Sequence, residues 1–314
     1  MSSNVIIPAY ARVIQQQFIP ALPDYWTHQF RFGVQALTIK PFVSLASNAR
    51  ATISHPDTAS TNMDRLVRNQ GLARELSKTV AGLGFITPRS IVACDHSDMN
   101  DLMTFMGAVQ TRKGRAIPCL VETLYSPHIP ARDDVPKRRQ RLRAARRAAQ
   151  IQIYEQAFAA LKQLADDLGF WPRLVFDRGF GGISFIRALT SHEATFYVRL
   201  KASRQVELGG ATLTVSELPT SDMAVTLGGM RLRVVRSDEP VEDGEPWYIL
   251  TSDMATSRTK IIRIYYHRFE IEETFKDLKH ILDLAKTRLT KLLSLKMLLW
   301  FTSLRFILGY LASH

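Results

Sequence analysis

Cysteine is scarce: Cys94 and Cys119 are the only two in 314 residues. They form no CxxC or CxxxH pattern, so neither a zinc site nor a disulfide framework is legible. Two unpatterned thiols, expected to be buried, fit a reducing cytoplasm, the expected location. The eight histidines show no ligand spacing, and none is assigned a role. A glycine-rich phosphate loop is missing too. "GGISF", after Asp177, matches neither the P-loop nor the dinucleotide pattern, and no nucleotide cofactor is expected. Uninterrupted apolar runs are also lacking. The most apolar segment, "KLLSLKMLLWFTSLRFILGYLASH", is broken by Lys291, Lys296 and Arg305. That is short of the roughly 18 to 20 apolar residues of a membrane span, so a buried terminal helix is expected and no membrane. The N-terminus has no basic region followed by an apolar run, so no signal peptide is expected. Internal repeats and low-complexity tracts are absent.

Negative charge is in short supply as well. Asp and Glu number 29 against 41 Lys and Arg, a formal net charge of +12. Such an excess points to a polyanionic partner, nucleic acid before a membrane surface; the alternative is a basic protein with no such partner.

What is present is ordinary globular material, 46% hydrophobic and 22% charged, ample for a sizeable core. Residues 1 to about 60 read as irregular, and 63–83 as helical with interleaved basic residues. Residues 1–84 are thus a partly helical region and a candidate DNA contact. "RSIVACDHSD" then begins a three-strand antiparallel meander whose second and third runs hinge at "TRKGR". A long helix follows from "DDVPKRRQ" to "LADDLG", with an acidic start and a glycine stop. "PRLVFDRGF" reads as a short buried strand, "GGISFIRALTSH" as a helix and "TFYVRLKA" as a strand. Residues 202–252 are short alternating runs, a β-rich insertion subdomain, before helices return. The order β-β-β-α-β-α-β predicts an α/β ribonuclease-H-like fold. Its mixed sheet, flanked by helices, is expected from 85–201 and 253–314, with the insertion ahead of the last catalytic helix.

Carboxylates placed at strand ends in such a sheet lie where ligands bind. Asp95 follows "SIVAC" and Asp177 follows "RLVF". Asp98, Asn100 and Asp101 read as turn and cap residues. A third acid is sought in "YYHRFEIEETFKDLKH", residues 265–280. On one continuous helix with Tyr265 at zero, Arg268 falls at about 300°, Glu272 at about 340° and Lys279 at about 320°. Glu270, Glu273 and Asp277 fall at about 140°, 80° and 120°, on a face expected to be solvated. The stripe of Tyr265, Arg268, Glu272 and Lys279 borders the apolar face of Ile271, Phe275, Leu278 and Leu282. Three converging carboxylates suit a hard divalent ion, Mg²⁺ or Mn²⁺, with two ions expected. Arg268 and Lys279 suit phosphate.

These residues resemble a known family. Tyr265-x2-Arg268-x3-Glu272-x6-Lys279 has the spacing of the Y-R-E-K signature of DDE transposases of the bacterial insertion-sequence-4 type, with Phe269 where many members have Trp. "IVACDHSD" and "LVFDRGFGGISFIRAL" are similar to the blocks around the family's two aspartates, and the likeness spans roughly residues 85–285. The resemblance implies Asp95, Asp177 and Glu272 as catalytic metal ligands. It implies Tyr265, Arg268, Lys279 and Arg178 as phosphate contacts. Its expected substrate is double-stranded DNA, transposon ends and target, held by a homodimer on DNA and cut and joined by cut-and-paste transposition. The alternatives are a two-metal nuclease without strand transfer and a truncated, inactive DNA-binding remnant. The basic run "KRRQRLRAARR" (137–147) is either a solvated helix face or a phosphate track. Trp247 and Tyr248 are either stacking platforms or β-core residues.

Overall fold

A computed structural model of the chain describes residues 10–35, 56–99, 102–125, 136–238, 245–282 and 292–313. β1 (Ile91–Met99), β2 (Leu102–Gln110) and β3 (Ala116–Tyr125) form the antiparallel meander. Val92, Ala93 and Cys94 are fully buried, as a central strand covered on both faces requires. Cys119 is buried too, and both thiols are free.

β4 (Arg173–Phe176) runs parallel to β1, and β5 (Phe196–Leu200) parallel to β4. The strand order β3-β2-β1-β4-β5, with only β2 reversed, is that of a ribonuclease-H-like fold. The helix between β3 and β4 spans Pro136–Leu168 and stops at Gly169, which takes the positive φ of +76° that ends helices cheaply. The expected acidic start at 133–134 lies outside the described residues.

The stretch 202–252 contributes β6 (Gln205–Leu208), β7 (Ala211–Thr214), β8 (Asp222–Leu227), β9 (Met230–Arg236) and β10 (Tyr248–Thr251). β10 pairs antiparallel with the outer edge of β5. The sheet therefore continues through β10-β9-β8-β6-β7 to ten strands. Pairing satisfies the backbone groups that β5 would otherwise leave open.

In chain order the helices are α1 (Asp24–Gly33), α2 (Pro56–Val67), α3 (Gln70–Gly82), α4 (Pro136–Leu168), α5 (Ile183–Ser191), α6 (Arg258–Tyr266), α7 (Phe269–Leu282) and α8 (Leu292–Ala312). The irregular reading of 1–60 fails over 10–35 and 56–60, which are helical, with a π-helical turn at Ile14–Phe18. Prolines at 20 and 23 mask the periodicity. Tertiary burial of Phe18, Phe30 and Phe32 supplies what local propensity does not. Phe30 packs on Phe301 of α8, and Phe301 also lies so close to Gly33 that a Cβ there would sit 2.4 Å from its ring. The expected helix over 63–83 is two helices, broken ahead of Asn69, whose side chain caps α3 by accepting from Leu72 N at 2.9 Å.

α8 is long and apolar enough to cross a membrane, yet 67% of its most apolar window is buried within the protein. It packs on β3, α2, α3 and α7. That is the buried terminal helix anticipated from its charges.

Candidate active site

The ladder between β1 and β4 ends at the pair Cys94–Phe176. The next residue on each chain is an aspartate, so Asp95 and Asp177 meet where the two central strands part company. Sequence placed Asp95 at the end of its strand, but β1 runs on to Met99, held by β2, and Asp98 sits in the ladder opposite Met103. What ends at Asp95 is the pairing with β4. Asn100 and Asp101 lie outside the described residues.

Asp177 caps the short turn Arg178–Phe180, its Oδ1 accepting from Gly179 N at 2.9 Å. Tyr154 of α4 donates to the Gly179 carbonyl at 3.0 Å and braces the turn. A Cβ at Gly179 would stand 3.0 Å from Asp177 Oδ1, so Gly179→Ala is expected to displace that carboxylate. Asp95 accepts from its neighbour's backbone, His96 N, at 2.8 Å. Its carboxyl is pushed up to about 6, first by burial and then by the charge of Asp177, against the pull of Arg268 and His96.

One oxygen of Asp95, one of Asp177 and one ring nitrogen of His96 lie within 4.8 Å of one another. Two carboxylates, one with its proton affinity raised by burial and by the other, beside a buried imidazole nitrogen without a partner among the described residues, fit a divalent cation. Glu272 is not in that group. Arg268 stands between: its Nη1 lies 3.5 Å from Asp95 Oδ2 and its Nη2 2.5 Å from Glu272 Oε1. The guanidinium now bridges the two acids. Burial opposes its charge, but Tyr265, Glu272 and Asp95 outweigh that and hold it fully protonated.

The stretch 265–280, read from sequence as one helix, is not continuous. α6 ends at Tyr266, a tight turn passes through His267 and Arg268, and α7 starts at Phe269. Each side of the break buries a different face. Ile261, Ile264 and Tyr265 join the cluster beneath β9 and β10, whereas Ile271, Phe275 and Leu278 pack toward β1–β3. The phase relation within α7 survives, and Arg268 and Glu272 do pair at i and i+4. The relation across the break does not. Tyr265 does not lie on an open stripe: it is 2% exposed, edge-on to Trp247 at 4.9 Å and beneath the Arg268 guanidinium. Of the two roles open to Trp247 and Tyr248, burial favours the β-core one.

Glu270 is the largest correction. Expected on the solvated face, it is 1% exposed. Its Oε2 accepts from Thr111 N at 2.9 Å and Arg112 N at 3.2 Å, and its Oε1 lies 3.1 Å from His267 Nδ1. It clamps the β2–β3 turn, in which Arg112 is held at φ +60°. Glu273 and Asp277 are not simply solvated either; both reach Arg115 of the same turn, at 3.7 and 2.6 Å. A side chain at positive φ is strained. Arg112→Gly should therefore raise stability by about 0.5–1 kcal/mol; chemical denaturation checks it, and a loss would assign the Arg112 side chain a compensating contact.

Lys279 is half-buried and makes no ion pair with a described residue. Arg178 is exposed beside Asp177. It lines a cleft of about 270 Å³ together with Arg199, Lys201, Glu245 and Tyr248. Sequence reasoning missed His96. Its adjacency to Asp95 was visible, but strand alternation argues that consecutive residues face apart.

The strand order defines a ribonuclease-H-like α/β fold, with two aspartates at the parting of its two central strands. The transposase DDE domain family matches residues 145–305, just over half of the chain, and the chain belongs to that family. The match contains Asp177 and Glu272 and begins after Asp95. No curated protein matches the chain. Among solved structures, endonuclease V from Streptomyces avermitilis is 12% identical over 70% of this chain and 95% of that one. Its TM-score is 0.28, too low to bear on fold or function.

Proposed function

We propose that this chain is a DDE transposase of the insertion-sequence-4 type, cutting transposon ends and joining them to target DNA, with Asp95, Asp177 and Glu272 as its acids. The observation that carries this reading is the meeting of Asp95 and Asp177 in a group whose ligand atoms lie within 4.8 Å of one another, close enough to share a cation, with Glu272 linked to Asp95 through Arg268. Bound Mg²⁺ or Mn²⁺, two ions in this reading, would supply an activated water and neutralise the leaving oxygen. Asp95 and Asp177 would hold the cation. Glu272, 42% exposed and now held by Arg268, would join once Arg268 moves its charge from Glu272 to a phosphate. Tyr265, buried under Arg268, sets the height of that guanidinium rather than meeting solvent itself. Arg178 and Lys279 would take the flanking phosphates as fork and point charge.

The basic start of α4 supports a DNA track. Arg141, Arg143 and Arg147 are exposed there. Three phosphate contacts would lower affinity about 40-fold between 50 and 200 mM salt. Fluorescence anisotropy with duplex DNA reads that slope for wild type and for the triple Arg→Ala variant. A wild-type slope no steeper than the variant's would remove α4 from the DNA path.

The decisive assay incubates purified protein with labelled duplexes carrying the element's ends, target plasmid and Mg²⁺ or Mn²⁺. Joined products are expected. Cleavage without joining would leave the nuclease reading, and neither product with intact DNA binding would leave the inactive remnant.

A further inference from the structure

We propose that His96 is a protein ligand of the same cation, making the site a mixed nitrogen–oxygen one that favours Mn²⁺ over Mg²⁺. This rests on the metal-dependent reading of Asp95 and Asp177 above. Period-two alternation sends Asp95 to the α7 face of β1, where Arg268 meets it, and His96 to the α4 face, where Tyr154 and Phe180 pack around it. Between central strands of a continuous ladder these two side chains would stay separated by the sheet. Here the ladder with β4 stops one residue earlier, at Cys94. Beside that opening, a ring nitrogen of His96 comes within 4.8 Å of an oxygen on each aspartate.

The ring is fixed in place. Phe180 meets it edge-on at 5.5 Å and 77°, and Tyr154 at 6.3 Å and 86°. Its Nδ1 is buried and has no hydrogen-bond partner among the described residues. Asp95 Oδ1 is the nearby acceptor at 3.9 Å, beyond hydrogen-bond length. A ring held rigidly, with one nitrogen within 4.8 Å of both carboxylates and a buried Nδ1 left without a partner among the described residues, is suited to donate a lone pair to a cation lodged there. An imidazole ligand changes which cation is preferred. Mg²⁺ favours an all-oxygen shell, whereas Mn²⁺ and the later divalent ions accept nitrogen readily.

The test is metal binding by the full-length protein without DNA. Mn²⁺ is titrated by the loss of its free-ion electron paramagnetic resonance signal, and Mg²⁺ by competition and by thermal shift. Wild type should bind Mn²⁺ at least about tenfold more tightly than Mg²⁺. His96→Ala should weaken Mn²⁺ about tenfold or more and Mg²⁺ less than about threefold. His96→Gln, which keeps a polar group without the imidazole, should behave like His96→Ala and stands in for it should the alanine variant misfold. Unchanged Mn²⁺ affinity in either folded variant, or equal losses for both ions, would overturn the assignment and leave His96 a packing residue. Asp177→Asn distinguishes the deeper failure: if it alters the binding of neither ion, the metal reading of the aspartates falls with it.

Discussion

Asp95→Asn should abolish metal-dependent DNA cleavage, by about 10³-fold or more if this carboxylate orients the cation and its water, while making the protein more stable at neutral pH. The two effects have one cause. Burial and the neighbouring Asp177 raise the Asp95 carboxyl from 3.8 to about 6. An acid whose pKa is higher in the folded state binds its proton more tightly there, so folding stability falls as pH rises through the window between those values. Above about pH 6 the folded state carries the whole penalty, and below pH 4 none of it. Two units correspond to about 3 kcal/mol at most. Asp95→Asn, which has no charge to bury, should melt higher than wild type at pH 8, and the gap should close by pH 4. Divalent cation should raise the wild-type Tm at pH 8 and leave the variant's nearly unmoved. Equal melting temperatures for the two proteins across pH 4–8 would mean that Asp95 is solvated and that its neighbours exert no strain on it.

Glu270→Ala should cost about 2–4 kcal/mol, a large share of the 5–15 kcal/mol that typically holds a domain folded. The alanine leaves the amides of Thr111 and Arg112 without their acceptor and removes the anchor of a turn held at positive φ. Glu272→Ala makes the opposite pair of changes. Its carboxylate is 42% exposed and its contact is one i,i+4 ion pair, so stability should change by less than about 1 kcal/mol while cleavage is lost. Urea denaturation and the cleavage assay on both variants separate the structural acid Glu270 from Glu272, the acid proposed to be catalytic, two residues away. Should Glu270→Ala unfold with wild-type stability, the buried clamp is not what holds the β2–β3 turn.

Much of this molecule was legible without coordinates, because the signals were local. Apolar runs closed by turn residues announced β1 to β5 in order, and that order limited the topology to a ribonuclease-H-like sheet. Asp95 and Asp177 stand out in the sequence because each follows such a run. Charges spaced through the C-terminal apolar segment argued for a buried helix, and α8 packs against β3. The i,i+4 relation of Arg268 and Glu272 followed from helical phase alone and holds across the start of α7.

Tertiary structure decided the rest, wherever distant groups compete for one side chain. A helix break with no glycine or proline to signal it reset the phase between Tyr265 and Glu270, because α6 and α7 bury different faces against different strands. That reset sent Glu270 into the protein and Tyr265 beneath Arg268. The strands after β5 joined the core sheet because its open edge needed partners. Where the β1–β4 ladder stops is likewise a property of two strands and not of either sequence. It is what brings His96 beside two aspartates that alternation alone would place across the sheet from it.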